Sequence, residues 1–463
     1  MKKSLLWIVV LVVSISMIAA FSLSGCKEEA AEEEVAEEEV AEEEEVAEEV
    51  AEEEEVVLPS GNLTIWLWEP NEQWLDASLE GFNDVYPDIT WEYVMYGTGD
   101  VYVNLPLAIT AGTGAPDISI TENTRLKSLI DMGGLLDITD RLTPYVDNLS
   151  AAKLADAEMD GSYYAVPWEP GPVALYYRRD VFERAGLPTD PAEVADLLST
   201  YDKYYDVANT IKEETGVFMQ AQSQAQNNGR LFEMLLWQQG LGYVDDAGNI
   251  SINSPEHVAT LEFIGKMVSE GLYSDTVDWT DPWYAEFSSI DAPGVATYIE
   301  ASWMAGVFKS WLAPDTTGLW GVVPMPAWEE GGVRASNDTG DSFIIPAQTA
   351  NPDAAWALLE YALLRDESVI NCYLAGGYTP SLLSSLSSDA FATPDPFFAD
   401  QPVGSLFNEI VPNIPKANIY ITEYAEVVNL ITPEIQKYLT GTETAQEALD
   451  NAAVAMRAAT GRQ

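Results

Sequence analysis

Short apolar runs alternate with longer amphipathic stretches between residues 60 and 135. Three of these runs are short enough to predict buried strands, at 63–68, 89–94 and 118–120. The stretch after each run repeats apolar residues at helical spacing, which predicts helices at 74–85, 100–111 and 125–132. Three successive strand–helix units are typical of a mostly parallel sheet covered by helices.

The carboxyl ends of these predicted strands carry aromatic and polar residues. Trp68 and Glu69 end the first run, and Glu122 and Asn123 follow the third. Ligands of such sheets bind beyond the carboxyl ends of the strands. We therefore expect these four side chains on one rim of the sheet.

The remainder of the chain alternates with less regular spacing. Further strands are predicted at 173–177, 295–299 and 321–323. Further helices are predicted at 191–214, 230–239, 255–270, 352–364, 423–439 and 444–459. No internal repeat is visible in the sequence, and the part from residue 58 onward is long enough for two domains.

The amino terminus has the pattern of a targeting segment. Lys2 and Lys3 precede an uncharged apolar run at 5–21, and the tetrapeptide LSGC follows at 23–26. This tetrapeptide resembles the lipobox that a lipoprotein signal peptidase recognises. The sequence therefore predicts a signal peptide at 1–26 and acylation of Cys26. The alternatives are an uncleaved membrane anchor or a cysteine that stands there by chance.

Residues 27–57 are dominated by glutamate and predict a disordered tether. Like charges at i,i+4 spacing oppose a helix, and the valines follow no heptad. Fully stretched, such a segment reaches on the order of 100 Å. The predicted location is thus the cell membrane, with the protein lipid-anchored on the extracytoplasmic face, at the cell surface or in a periplasm.

The charge of the chain limits its partners. The net charge is −55, from 76 acidic and 21 basic residues. Removing the tether leaves a strongly acidic folded part. Binding of nucleic acid depends on Lys and Arg contacts with phosphate, so no nucleic-acid partner is expected.

Residues for common kinds of catalysis are scarce. His257 is the only histidine, and Cys26 and Cys372 are the only cysteines. So few histidines and cysteines argue against a Ser–His–Asp triad, a Cys–His pair or a zinc site built from histidines. The chain also has no phosphate-binding loop. We predict no catalytic residue, no metal and no cofactor. A carboxylate pair for glycoside hydrolysis stays open, because acidic residues are abundant throughout.

Aromatic residues give a more positive indication. The chain has 14 Trp and 22 Tyr. Several tryptophans stand beside turn residues or at strand ends: Trp68, Trp168, Trp279, Trp283, Trp303 and Trp328. An indole offers a flat apolar face to a sugar ring, while a neighbouring carboxylate accepts hydrogen bonds from its hydroxyls. Trp68-Glu69 and Trp168-Glu169 have this pairing, although each tryptophan alone also suits a core.

A series of sequence blocks resembles a known family in order over some 400 residues. The blocks are GAPDI at 114–118 with 126–136, YYAVP at 163–167, LYYRRDVF at 175–182 with AGLP at 185–188, 294–303, VPMP at 323–326, 345–356, VPNIP at 411–415 and 444–452. They resemble family 1 of the bacterial extracellular solute-binding proteins, which includes the maltodextrin-binding proteins.

The resemblance implies an α/β, two-lobed periplasmic-binding-protein-like (type II) fold with a hinge and an interlobe cleft. The implied bounds are 58–167 with about 335–390 for the amino-terminal lobe, and 168–334 with about 391–463 for the carboxy-terminal lobe. Trp303 matches a tryptophan that stacks on sugar in relatives, and Gly376-Gly377-Tyr378 resembles a loop that often reaches the cleft. Thr121 stands where maltodextrin-binding proteins have a tryptophan, which argues against maltodextrin itself.

These indications lead to a functional hypothesis: a monomeric, non-enzymatic receptor that binds a sugar or oligosaccharide and delivers it to the permease of an ABC importer. Stacking on the sugar is assigned to Trp68, Trp168, Trp283, Trp303 and Tyr378, and hydroxyl recognition to Glu69, Glu122, Asn123, Glu169 and Asp338. The alternatives are a polyamine, peptide or polyol as the ligand, or a surface glycosidase.

Overall fold

The computed structural model describes residues 58–463 except Pro70, Asn227, Asn418, Ile419 and the side chain of Thr98. The predicted signal peptide, Cys26 and the tether lie outside the described residues. Within them, no helix is both long enough and apolar enough to cross a membrane.

The strands are short and spread along the chain. In order they are β1 (Gly61–Trp68), β2 (Ile89–Tyr96), β3 (Ile118–Glu122), β4 (Glu158–Met159), β5 (Ser162–Tyr163), β6 (Ala165–Glu169), β7 (Val173–Arg178), β8 (Gln220–Ala221), β9 (Tyr273–Ser274), β10 (Thr297–Ala301), β11 (Trp320–Val323) and β12 (Asp341–Ile344).

Helices fill most of the connections between strands. The α-helices are Glu72–Ser78, Phe82–Val85, Thr98–Ala111, Asn123–Asp131, Thr139–Leu142, Ala151–Ala157, Arg179–Arg184, Pro191–Leu197, Tyr201–Thr215, Arg230–Trp237, Pro255–Ser269, Asp281–Ser288, Trp303–Val307, Pro352–Leu363, Asp366–Gly376, Val403–Ile410, Tyr424–Leu439 and Ala445–Thr460. A π-helical turn covers Phe308–Leu312, and 3₁₀ turns cover Thr143–Asn148, Pro314–Thr316, Leu383–Ser387, Asp389–Ala392, Pro396–Phe398 and Val411–Asn413.

One sheet of the described chain has the strand order β2-β1-β3-β12-β6. β1 pairs in parallel with both β2 and β3, which confirms the parallel arrangement predicted for the first three strands. β12 is antiparallel to β3 and β6, so the sheet is completed by a strand from much later in the chain. Since β1 and β3 are parallel neighbours, Trp68 and Glu122 end on the same rim, as predicted.

A second sheet has the order β10-β7-β11 and is antiparallel. Alternate side chains of β7 enter different hydrophobic clusters, because successive residues of a strand point to opposite faces. Val173, Leu175 and Tyr177 belong to one cluster, and Ala174 and Tyr176 belong to the other. This sheet is therefore covered by apolar side chains on both faces.

Each sheet has its own core. The first sheet packs into a cluster of residues between 63 and 168 and between 343 and 382. The second sheet is covered mainly by residues between 173 and 335 and between 397 and 456. We refer to these two parts as the first lobe and the second lobe.

Two predicted helices are each divided in the structure. The helix predicted at 74–85 is interrupted at Gly81, which has a left-handed backbone with a φ of 78°. The helix predicted at 191–214 ends at Leu197 and restarts after Thr200, whose hydroxyl accepts a bond from the Lys203 amide. Glycine and N-cap threonine both favour such breaks, although the apolar spacing continues through them.

Two backbone segments cross side by side between the lobes, at 169–173 and 336–341. The Asp338 amide donates to the Gly171 carbonyl at 2.8 Å, and the Val173 amide donates to the Ser336 carbonyl at 3.0 Å. Gly171 has a φ of 60°, and a Cβ there would lie 2.3 Å from the Asp338 carbonyl oxygen. Gly340 has the same constraint, because its φ is 77° and an added Cβ would lie 2.5 Å from the Glu169 carbonyl oxygen. Side chains at either position would separate the two segments.

We expect Gly171→Ala to lower the free energy of unfolding by about 2 kcal/mol or more, because strain at positive φ adds to a backbone clash. Gly186→Ala is the matched control: its φ is 71°, but nothing lies within 4 Å of the added Cβ. Chemical denaturation of both variants measures the difference. Equal losses would show that the crossing is not tightly packed.

Candidate functional site

A cavity of about 790 Å³ lies where the two lobes face each other, and we call it the cleft. Its volume is within the range of about 300–1,000 Å³ typical of small-molecule sites. The first lobe contributes Trp68, Gln73, Trp74, Glu122, Ala375, Gly376, Gly377 and Tyr378, and the two crossing segments contribute Glu169, Thr339 and Asp341. The second lobe contributes Arg230, Trp279, Ser302, Trp303, Gly306, Val307, Ser310 and Trp311.

The first wall of the cleft is formed by Trp68, Trp74 and Tyr378. Tyr378 follows the helix cap at Gly377, and its ring centroid lies 4.4 Å from that of Trp74. Trp168 supports Tyr378 from below, with centroids 4.8 Å apart and nearly parallel planes. A Cβ at Gly376 would lie 2.4 Å from the indole nitrogen of Trp74, so glycine is required for this approach.

The second wall is formed by Trp279, Trp303 and Trp311. Trp303 begins a short helix directly after β10, while Trp279 precedes the helix Asp281–Ser288. Trp279 and Trp311 are 46% and 51% exposed, which is unusual for the largest apolar side chain. The cleft is therefore faced by aromatic rings on both sides.

Arg230 links the second wall to the crossing segment. Its Nε donates to Asp338 Oδ2 at 2.9 Å, and its guanidinium carbon lies 5.7 Å from the centroid of the Trp303 ring. Glu300 approaches the same guanidinium at 3.9 Å. Among the described residues that line the cleft, Arg230 is the one basic side chain. It thus positions Trp303 and supplies hydrogen-bond donors.

Carboxyl groups with raised pKa values form the floor of the cleft. Burial raises the pKa of Glu169 to about 7, although the Ser302 hydroxyl donates to it at 3.0 Å and opposes the shift. Burial and the nearby Glu122 carboxylate also raise the pKa of Asp341. A protonated carboxyl both donates and accepts hydrogen bonds, as a sugar hydroxyl does. The floor is accordingly less negative than its composition implies.

Five of the ten predicted site residues line the cleft. These are Trp68, Glu122, Glu169, Trp303 and Tyr378. The structure brings them together from both lobes, although they are as far apart in sequence as Trp68 and Tyr378. Their individual roles in binding remain predictions.

The other five predicted residues do not line the cleft. Trp168 lies beneath Tyr378, and Trp283 is fully buried with its ring centroid 5.0 Å from that of Trp279. Asp338 is buried against Arg230. Asn123 is buried and accepts a bond from the Ser342 hydroxyl at 2.7 Å, and Glu69 is exposed outside the lining. Three of these residues, Trp168, Trp283 and Asp338, support residues that do line the cleft, and the roles of all five in binding remain predictions.

Sequence reasoning missed several lining residues. Arg230 stands at a predicted helix start, Ser302 lies in a family block but has no predicted role, and Asp341 and Gln73 lie in no motif. Trp279 was noted for its position near turns but was not assigned to the site. Trp74 and Trp311 lie within helical segments, where an aromatic residue usually belongs to the core.

His257 is of the residue type most often used as a general base, and it lies away from the cleft. His257 is buried in the second lobe, with Nδ1 2.8 Å from the Ser254 hydroxyl and Nε2 2.9 Å from the Gly242 carbonyl. It is absent from the lining of the cleft. Among the described residues, no group of three or more His, Cys, Asp or Glu side chains is placed to hold a metal ion.

The fold and the cleft are those of a two-lobed binding protein, and comparison with known proteins identifies the class. Residues 66–367 match the family of bacterial extracellular solute-binding proteins. The chain belongs to this family, which confirms the resemblance noted from its sequence blocks.

Three similar proteins illustrate the relationship. A lactose-binding protein of Rhizobium radiobacter is 26% identical over 389 residues, which cover 82% of this chain and 89% of the relative. An arabinooligosaccharide-binding protein of Halalkalibacterium halodurans is 25% identical over 327 residues, which cover 70% of this chain and 72% of the relative. A crystal structure of an extracellular solute-binding protein of family 1 superimposes with a TM-score of 0.75 at 24% identity, covering 87% of this chain and 100% of the other. The predicted type II α/β fold is confirmed.

The raised pKa of Glu169 predicts a pH dependence of stability. An unfolded glutamate titrates near about 4.3, so the folded protein binds the extra proton between that pH and about 7. The free energy of unfolding should therefore fall as the pH rises through this window, by on the order of 3 kcal/mol or less from this group.

Glu169→Gln should make this pH dependence shallower, and denaturation at several pH values measures it. Glu213→Gln, the same substitution at an exposed position outside the cleft lining, provides the control. An unaltered slope in Glu169→Gln would mean that this carboxyl is ionised in the folded protein.

Proposed function

We propose that this protein is the substrate-binding component of an ABC importer, and that it captures a sugar or oligosaccharide in the cleft. The observation that carries the proposal is the pairing of aromatic walls with a floor of carboxyl, hydroxyl and guanidinium groups. A sugar ring has apolar CH faces and a rim of hydroxyls, so it fits between such walls and over such a floor.

The relatives support the same class of ligand. Two of them are named for lactose and for arabinooligosaccharides, and both align over most of this chain. Their sequence identity with this chain is too low to infer from it which particular sugar this chain binds. Because binding proteins predominate among these relatives, we propose a receptor without catalytic activity.

Capture requires that the lobes move relative to each other. The backbone crossing at 169–173 and 336–341 joins the lobes beside the cleft floor, and bending there would bring the two aromatic walls together on the ligand. The closed form would then be presented to the permease. Energy for transport would come from ATP hydrolysed by another subunit of the importer.

Membrane attachment completes the proposal. Acylation of Cys26 would anchor the protein, and the tether would let the folded part search for its permease. Two or more acyl chains are needed for stable anchoring, since each buried CH₂ contributes only about 0.8 kcal/mol.

Binding is tested by thermal unfolding against mono- and oligosaccharides and polyamines. A ligand that binds only the native state stabilises it by about 2.7 kcal/mol at a hundredfold excess over Kd. We expect stabilisation by a sugar and its loss in Trp303→Ala, because Trp303 lines the second wall.

Trp328→Ala is the control, since Trp328 packs on Tyr201 and Phe263 outside the cleft lining and should keep the sugar response. Stabilisation by a polyamine and by no sugar would mean that the protein is a receptor for a polyamine rather than for a sugar. A sugar response unaffected by Trp303→Ala would place binding outside the cleft.

Attachment is tested separately with Cys26→Ala. Cells that express the full chain should hold the wild-type protein in the membrane fraction, from which detergent releases it. The variant should be cleaved abnormally or not at all and should carry no acyl chain, as measured by labelling with a fatty acid. Acyl labelling of the variant equal to that of the wild type would overturn the assignment.

A further inference from the structure

The second wall of the cleft is a row of three tryptophans. Trp279 lies between the other two, with ring centroids 6.1 Å from Trp303 and 6.4 Å from Trp311. The ring plane of Trp279 makes an angle of 23° with that of Trp303, a stacked pair, and of 35° with that of Trp311, a tilted pair. All three side chains line the cleft.

The helix that carries Trp303 and Trp311 changes its winding between them. Eight residues of regular α-helix would turn Trp311 about 80° away from Trp303 while advancing about 12 Å. Instead, residues Phe308–Leu312 form a π-helical turn. A π-helix has more residues per turn than an α-helix, so each residue rotates less and the angle between Trp303 and Trp311 about the helix axis is smaller than about 80°. Trp311 therefore faces the cleft like Trp303. The advance along the axis also leaves room for one more ring between them.

Trp279 fills that room through a strained backbone. Its φ is 62°, in the left-handed region that bulky residues rarely adopt. The hydroxyl of Tyr284 donates to its carbonyl at 3.0 Å, and the buried ring of Trp283 packs beneath it. Such strain persists only where the surroundings enforce it, and it concentrates at functional sites. The surrounding residues thus hold an exposed indole in line with two others.

The cleft also continues beyond its first cavity. A second cavity of about 450 Å³ shares Gly306, Ser310 and residues 375–377 with it. Lys309 and Asp395, which form an ion pair at 2.9 Å, line this second cavity. A ligand longer than the main cavity therefore has adjoining space that contains polar groups.

We infer that Trp303, Trp279 and Trp311 are consecutive stacking positions for an oligosaccharide of at least three sugar rings. A ring and its glycosidic oxygen together advance on the order of 5 Å, given bond lengths near 1.5 Å, which is close to the spacing of the indoles. A mono- or disaccharide would leave part of this apolar row uncovered. The inference rests on the proposed function and specifies the length of the ligand.

The test is isothermal titration calorimetry of the full-length protein with mono- to pentasaccharides of galactose, arabinose and glucose. Affinity should rise with chain length up to at least the trisaccharide. Trp311→Ala should weaken binding of the trisaccharide and longer chains about tenfold and leave shorter chains unchanged. Trp303→Ala should weaken binding at every length. Trp311 is exposed and alanine favours helix, so Trp311→Ala is expected to fold.

A second variant addresses the middle position. Trp279→Asn keeps a residue type that tolerates the left-handed backbone, and it should weaken disaccharides as well as longer chains. Affinity that is independent of chain length, or an equal loss at all lengths in Trp311→Ala, would overturn the three-ring row while leaving the proposed function intact. Failure of every sugar to bind the wild-type protein would overturn the proposed function and this inference together.

Discussion

The cleft depends on the close antiparallel crossing of two backbone segments, at 169–173 and 336–341. Hydrogen bonds of 2.8 and 3.0 Å hold the segments together, and glycines at 171 and 340 allow their approach. The same segments supply Glu169, Asp338 and Asp341. These two connecting segments therefore also form part of the floor of the site, so a change in the crossing also moves the floor.

The ionisable groups in the floor of the cleft are either paired with an opposite charge or protonated through burial. Arg230 is paired with Asp338, and burial raises the pKa values of Glu169 and Asp341. Ionising a buried carboxyl without a partner is costly, so these groups hold their protons to higher pH. The result is a floor with both donors and acceptors, which suits a neutral polyhydroxylated ligand better than an ion.

The aromatic residues are divided between support and exposure. Trp168 and Trp283 are buried, and each packs against a residue of a wall: Tyr378 in the first and Trp279 in the second. Trp279 and Trp311 are exposed because backbone devices, a left-handed residue and a π-helical turn, direct them there. This layering explains why a high tryptophan count is compatible with only some of the rings facing the cleft.

The sequence by itself determined the family through its ordered blocks and the alternating α/β order through local apolar periodicity. The shared rim of Trp68 and Glu122 followed from that order, because ligand sites of such sheets lie at the carboxyl ends of the strands. The family resemblance also pointed to Trp303 and Tyr378, both of which line the cleft. Only the tertiary structure decided that Trp168, Trp283 and Asp338 lie behind the lining, and that Arg230, Trp74 and Trp311 lie within it. Whether a tryptophan is buried or exposed depends on which distant segments pack over it, and no local pattern contains that information.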